Sequence, residues 1–325
     1  MPKISVIIPA YNVEKYVEKN LKSLIDQTFY DFEVIIINDG STDNTEKIIK
    51  EVLQDANFQW KLINQDNQGV SAARNRGIIE SKGEYICFLD ADDYYHPSFL
   101  EKMYNKAKEN NYDAVFCNYS YVHESGKTIR EPKQAKEYFG VELTGEEALK
   151  QILNGHVYIL VFNYICKKKL LNEHNISYTK GCTHGEDQEF WMKVFFHAML
   201  VNSVTETLVY YVKRKGSAVS YNSLKHFNYV GAMKRVEKYL ERQKADSEIL
   251  SLMKTKRIPQ SYVSCFATLS RGGNKEFILR AIKNKKIKEQ SLVYKPVSLK
   301  GKIHLKVLLY FPRLFYFYYN KIKNW

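Results

Sequence analysis

Residues 85–95 read YICFLDADDYY, an apolar run that breaks directly into three carboxylates. Ile86 to Leu89 are continuous, apolar and rich in β-formers, as in a strand covered on both faces of a parallel sheet. In open α/β sheets the ligand crevice lies beyond the carboxyl ends of the strands, so Asp90, Asp92 and Asp93 fall where a ligand belongs. On an extended backbone Asp90 and Asp92 project to the same side, and like charges that close need a cation between them. A hard divalent ion, Mg²⁺ or Mn²⁺, suits oxygen ligands and completes its shell with water and substrate phosphates. A solvated acidic turn ahead of His96-Pro97 fits the same residues, and this stretch alone does not choose between the two.

Working outward, the first hundred residues alternate regularly. Strand-like ISVII (4–8) precedes a segment in which Val13, Val17, Leu21, Leu24 and Ile25 fall at helical spacing. FEVIII (32–37) ends at Asn38-Asp39-Gly40, and Asp43 with Glu46 three residues on predicts a capping box before Ile48, Ile49 and Val52. WKLI (60–63) follows, then a helix led by Gly69 and running through Gly77, then the opening strand. This βαβαβαβ series predicts an α/β fold with a mostly parallel, Rossmann-like sheet. The pattern is irregular from 116 to 222, with helices expected at GEEALKQILNG and EDQEFWMKVFFHAML, and mainly helical from 223 to 325. These changes set the expected divisions at 1–115, 116–222 and 223–325.

Composition narrows the class. A chain of 325 residues that is 45% hydrophobic and 14% aromatic has ample material for a core. No apolar run approaches a membrane span, and the opening residues lack the pattern of a signal peptide, so a cytoplasmic location is expected. Five scattered cysteines without a C-x-x-C suggest neither a disulfide framework nor a zinc site. No G-x-G-x-x-G occurs, and Gly126-Lys127-Thr128 is not a P-loop because Tyr121 stands where its first glycine is required. The net charge of +13 is uneven: residues 225–325 hold 23 Lys and Arg against 6 Asp and Glu, leaving 26 against 30 before them. That split argues against nucleic-acid binding by the body of the chain and predicts a basic appendage for an anionic surface.

Each of the other strand-end loops carries polar groups. Pro9-Ala10-Tyr11-Asn12 offers backbone and a ring to the edge and face of a base, or forms a plain turn. Asp39 can accept the N3–H of uracil, which cytosine lacks, or serve an Asx-turn, while Asp43 reads as a cap. In NQGVSAARN (67–75) small residues let a helix N-terminus approach a ligand, and Arg74 can reach base or phosphate. Farther on, Gly185-Glu186-Asp187 precedes an amphipathic helix. Acids at that position favour the helix electrostatically, and a sugar transfer by direct displacement also needs a carboxylate to take the acceptor proton.

PAYN, INDGSTDNT, NQGVSAARNRG, FLDADD and GED, in this order over about the first 190 residues, resemble the family 2 glycosyltransferases with a GT-A fold. The resemblance implies an inverting, metal-dependent transfer from a UDP-sugar to a saccharide or lipid-linked saccharide, in polysaccharide, glycolipid or wall polymer synthesis. It implies a nucleotide-sugar-binding half (1–115) and an acceptor and catalytic-base half (116–222). Carried over by position, Pro9 to Asn12, Asp39, Asn67 and Arg74 would serve the nucleoside, Asp90 the ribose, and Asp92 an Mn²⁺ or Mg²⁺ ion. Asp187 would be the base with Glu186 beside it. YYVKRKGSAVS (210–220) is similar to the segment that closes over the donor, giving Arg214, Ser217 and Ser220 to the diphosphate. Asp93 receives no role.

The C-terminus reads KGKIHLKVLLYFPRLFYFYYNKIKNW, lysines around an aromatic, leucine-rich run. It suits an anchor on the anionic inner face of the cell membrane, a helix packed on the rest of the chain, or a homo-oligomer contact. Two competing functions are a sugar nucleotidyltransferase, whose glycine- and lysine-rich activating loop is not seen, and a catalytically silent sugar- or membrane-binding module.

Overall fold

Parallel strands β1 (Ile4–Ala10), β2 (Phe32–Asp39), β3 (Gln59–Gln65) and β4 (Tyr85–Phe88) lie in the order β3-β2-β1-β4. The computed structural model describes residues 1–132, 134–213, 224–273, 275–282, 289 and 299–321. β2 and β4 are buried along their whole length, as their unbroken apolar runs require, whereas β3 alternates and forms one edge. Helices α1 (Val17–Ile25), α2 (Thr45–Leu53) and α3 (Val70–Glu80) make the crossovers. α3 buries small residues instead of a leucine stripe, and a Cβ at Gly77 would run into the Ile7 side chain. The helix therefore lies close on β1, with its N-terminus at the strand ends.

The expected capping box on α2 does not form. The Asp43 carboxylate accepts from Thr45 N–H (3.0 Å) and Oγ1 through one oxygen and from Glu14 N–H (3.1 Å) through the other. Glu46 pairs with Lys50. With Glu46 drawn to Lys50 there is no reciprocal bond back to the Asp43 backbone, and the helix begins at Thr45, after Asn44.

The sheet continues through β5 (Tyr94–Tyr95), α4 (Phe99–Glu109), β6 (Ala114–His123), β7 (Thr128–Arg130), α5 (Gly145–Asn154), β8 (Tyr164–Lys167), α6 (Lys168–Glu173), α7 (Glu186–His197) and β9 (Val201–Lys213). The full order is β3-β2-β1-β4-β8-β6-β9-β5, with β7 on β6. β8 runs antiparallel between β4 and β6, and β6 and β9 are parallel. All five cysteines are free and buried, and burial pushes the Cys87 and Cys265 thiols up to about 12.

The chain divides into two units, Met1–Gly181 with Phe190–Arg214, and Cys182–Glu189 with Lys215–Trp325. The second is helical: α8 (Asn228–Arg242), α9 (Ser247–Leu252), a π-helical turn (Met253–Arg257), α10 (Ile258–Arg271), α11 (Lys275–Ile282), α12 (Leu299–Tyr310) and α13 (Pro312–Lys321). α13 packs along α10, burying Phe315 and donating from Asn320 Nδ2 to the Ser270 carbonyl at 3.0 Å.

Candidate active site

In the first unit, the loops after β1, β2 and β3 are laced into one rim. Asn12, at φ 50°, donates its N–H to Ser41 Oγ (3.0 Å) and accepts from Thr42 N–H (2.8 Å), a conformation that asparagine tolerates. Pro9 costs no ladder bond on the β4 side, because the β1–β4 pairing stops at Ile7 and Phe88. Ala10 is buried, and the Tyr11 ring is 51% exposed. Gly40, at φ +76°, carries the chain past Asn67, whose N–H would lie 2.9 Å from any Cβ there.

Asp39 is buried beneath this rim. Its Oδ1 accepts from Gln65 Nε2 (2.7 Å) and Gln68 N–H (2.9 Å), and its Oδ2 from Gly69 N–H (2.8 Å), the residue before α3. A carboxylate has about four acceptor positions, so one on Oδ2 is left for a ligand. Asp39 thus fixes the loop that carries Asn67, itself exposed.

Arg74 projects inward from α3, nearly buried. Its Nη2 donates to Asp90 Oδ1 at 2.8 Å, and its guanidinium lies 5.1 Å from the Tyr178 ring. Asn75 and Tyr178 exchange a reciprocal pair of side-chain to backbone bonds at 2.9 and 2.8 Å, and the Tyr178 ring stacks on Phe190 at 4.1 Å. Arg74 therefore holds the Asp90 carboxylate, through Oδ1, at the end of β4.

The acid tip beyond β4 is held from two sides. Asn20 of α1, buried in the helix stripe, donates through Nδ2 to the carbonyls of Asp90 (2.9 Å) and Asp93 (2.8 Å). Asp93 is 2% exposed and accepts the Val212 N–H at 2.8 Å, which ties the tip to β9. Leaving a buried N–H unsatisfied costs about 1–3 kcal/mol, so Asp93 is a structural residue. Asp92 stands between these two anchors, half-buried.

Glu186 and Asp187 belong to the second unit, in the first turn of α7. Gly185 before them is at φ +79°, and a Cβ there would sit 2.6 Å from Tyr229 Cδ2, so both conformation and space require glycine. Asp187 Oδ1 accepts the Gln188 N–H at 2.7 Å. Gln188 Oε1 is held by Tyr229 (3.1 Å) and Arg257 (2.5 Å), and buried Glu189 by Arg235 Nε (2.9 Å) and Nη2 (2.6 Å). His184, packed edge-on to His226, has its pKa lowered to about 4 by burial and then by His226 and Lys225, so it is neutral near pH 7. Two cations of the basic region are thus used locally: Arg235 and Arg257 clamp the turn that presents Asp187.

The profile of glycosyl transferase family 2 matches residues 5–174, more than half the chain. The chain belongs to this family. EpsH of Bacillus subtilis (strain 168) is 35% identical over 213 residues, which is 65% of this chain but 60% of EpsH. TarS of Staphylococcus aureus, named as a poly(ribitol-phosphate) β-N-acetylglucosaminyltransferase, is 29% identical over 224 residues, 68% of this chain and 37% of TarS. Its crystal structure as a 1–349 fragment with UDP-GlcNAc superposes with a TM-score of 0.69 at 21% identity, covering 99% of this chain and 90% of the fragment. A mannosyltransferase from Pyrobaculum calidifontis in complex with GDP-Man and Mn²⁺ superposes at 0.59 and 14% identity, over 99% and 84%. The fold is GT-A.

For a family 2 glycosyltransferase with this donor set, a metal cage would be the wrong expectation. Among the described residues no group of three or more His, Cys, Asp or Glu is placed to hold an ion. Asp93 accepts from β9 and Asp90 from Arg74, and Asp92 stands half-buried between them at the tip. One or two carboxylates completed by substrate phosphates is how Mg²⁺ and Mn²⁺ are commonly held, so the residues fit. Arg214, Ser217 and Ser220 lie outside the described residues.

Sequence reading missed Asn20, Tyr178 and the anchoring role of Asp93. Asn20 left a signal, since it is the polar residue on the stripe of Val17, Leu21 and Leu24. Tyr178 left none, because it sits in an aperiodic loop and meets Arg74 only in the fold.

Proposed function

We propose that this protein transfers a sugar from a UDP-sugar to a hydroxyl of a saccharide or lipid-linked saccharide, with inversion, in synthesis of a cell-surface polysaccharide, glycolipid or wall polymer. What supports this most is the convergence of Asp39, Arg74 and Asp90 at the ends of β2, α3 and β4 within one laced rim. Tyr11 covers the base, the remaining acceptor position of Asp39 takes the uracil N3–H, and Asn67 supports the nucleoside. Arg74 fixes the Asp90 rotamer so that Oδ2 meets a ribose hydroxyl. Asp92 would hold Mn²⁺ or Mg²⁺, which when bound offsets the charge growing on the leaving diphosphate. Arg214, Ser217 and Ser220 serve that diphosphate. Asp187 takes the proton of the attacking hydroxyl, with Glu186 orienting the acceptor.

Calorimetry with UDP, GDP, CDP and ADP, each with and without Mn²⁺, tests the donor half. UDP is expected to bind at least about tenfold tighter than the others, a gap of roughly 1.4 kcal/mol, and tighter still with metal. Equal affinities would remove the role of Asp39, and indifference to Mn²⁺ that of Asp92.

We place the enzyme at the inner face of the cell membrane. No described helix is long and apolar enough to cross a membrane. α12 and α13 bury Leu305, Leu308, Leu309 and Phe315 but expose Ile303, Tyr310, Phe311, Leu314, Phe317 and Tyr318. Lys302, Lys306, Arg313 and Lys321 are exposed among them, and the sequence has no Asp or Glu after Glu289. Apolar side chains ringed by unopposed cations match an anionic lipid surface. The triple variant F311S/L314S/F317S, which spares the buried Leu305, Leu308, Leu309 and Phe315 and gives up the Lys275 contact of Phe317, should bind phosphatidylglycerol vesicles at least about tenfold more weakly, three partly buried side chains being worth that much. Unchanged vesicle binding would sink the assignment, and conversion of a dimer to a monomer would make this face a self-association surface instead.

A further inference from the structure

Where β6, β7 and β9 meet, the first unit carries a row of aromatic rings bearing two cations. Register places Tyr121 of β6 beside Tyr211 of β9 on one edge and beside Arg130 of β7 on the other. The two tyrosine rings meet edge-on at 5.3 Å, and Phe162 stacks on Tyr211 at 5.6 Å. The Arg130 guanidinium lies 4.7 Å from the Tyr121 ring, and Lys213 Nζ lies 4.7 Å from that ring and 4.6 Å from Tyr211.

The row adjoins the acid tip. Val212, between Tyr211 and Lys213, donates to Asp93, and the Tyr211 phenol is pushed up by burial and then by Asp93, Asp92 and Asp90. It lies on the side of β4 away from β1, β2 and β3, whose loops form the nucleoside rim.

Two cations on one ring is an unfavourable arrangement by itself. Among the described residues neither Arg130 nor Lys213 has a carboxylate within ion-pair distance, while lysines elsewhere in this unit, such as Lys22, Lys50 and Lys61, find one. The ring faces attract each cation separately, but the cations repel one another. Desolvation and then the Arg130 guanidinium lower the Lys213 pKa, with Asp93 opposing. An anion beside the pair offsets the repulsion and gains charge-assisted hydrogen bonds, most strongly if it offers several oxygens.

We propose that Arg130 and Lys213 form a phosphate-binding site beside the acid tip. Resting on the transfer reading above, the phosphate belongs either to the donor diphosphate or to the acceptor. Its place away from the nucleoside rim favours an acceptor that carries phosphate.

The test is calorimetric titration of inorganic pyrophosphate into metal-free protein. R130Q/K213Q should bind at least about tenfold more weakly than wild type, as expected on losing two charge-assisted contacts, while the charge-keeping swap R130K/K213R stays within about threefold. Equal affinity in wild type and R130Q/K213Q overturns the proposal. Both side chains are exposed, and if the double variant does not fold, R130Q and K213Q singly give the same reading in smaller steps. Titrations of UDP and uridine with Mn²⁺ then assign the source: UDP weakened and uridine unchanged means the donor, and both unchanged means an acceptor-borne phosphate. Pyrophosphate binding does not depend on turnover, so a protein that transfers no sugar would still decide this question.

Discussion

Asp92→Asn should lower the rate of sugar transfer by about 10²- to 10³-fold or more, the size of effect that follows when one group stabilising transition-state charge is removed. The substitution keeps the side chain's volume and removes its charge. The tip on which it stands is held by Asn20 and by the Asp93 to Val212 bond, neither of which involves the Asp92 carboxylate. Those anchors remain in Asp92→Asn, so the variant should keep its fold and still bind UDP. Asp93→Ala is the informative contrast, because it leaves the buried Val212 N–H without its acceptor and should cost about 1–3 kcal/mol. Measuring transfer, thermal stability and the Mn²⁺ enhancement of UDP binding on both variants separates the roles. In Asp92→Asn the enhancement disappears with the fold intact; a variant that turns over at the wild-type rate would sink the metal assignment.

The parallel half of the sheet was legible because its signal is local. Strands covered on both faces read as unbroken apolar runs, and Gly77 marks where α3 must approach β1. The direction of the acid tip was legible for the same reason, since strand ends in α/β sheets have a known use. Local signals failed where a side chain serves a distant partner. Asp43 has the spacing of a cap, yet besides Thr45 it accepts from Glu14, 29 residues away in sequence but adjacent in space. Arg74, expected to reach base or phosphate, also serves a partner inside the fold, Asp90. The basic C-terminal region was expected as an appendage for an anionic surface. Arg235 and Arg257 show a second use, holding Glu189 and Gln188 in the turn that carries Asp187, which charge counting cannot distinguish from a surface patch.

Asp187→Asn should leave UDP affinity within about threefold of wild type and reduce transfer by about 10²- to 10⁴-fold, the range for loss of a positioned general base. The reasoning starts from what the side chain holds. Asp187 Oδ1 accepts the Gln188 N–H at 2.7 Å, a bond that an asparagine carbonyl can make as well. The turn itself depends on Gly185 against Tyr229 and on Glu189 with Arg235, neither of which is altered. The substitution removes basicity while keeping the side chain's volume and this bond. Glu189→Gln supplies the control for a structural effect: Glu189 is 1% exposed and Arg235 partly open to solvent, so weakening the pair should cost about 1–3 kcal/mol while leaving the chemical groups in place. If Asp187 is the base, its asparagine variant keeps its melting temperature, binds UDP and fails to transfer, and the acid limb of the pH–rate profile goes with it. If stability, UDP binding and transfer fall together, Asp187 belongs with Glu189 among the residues that build the turn, and the proton must be taken by Glu186, the other carboxylate that the turn presents.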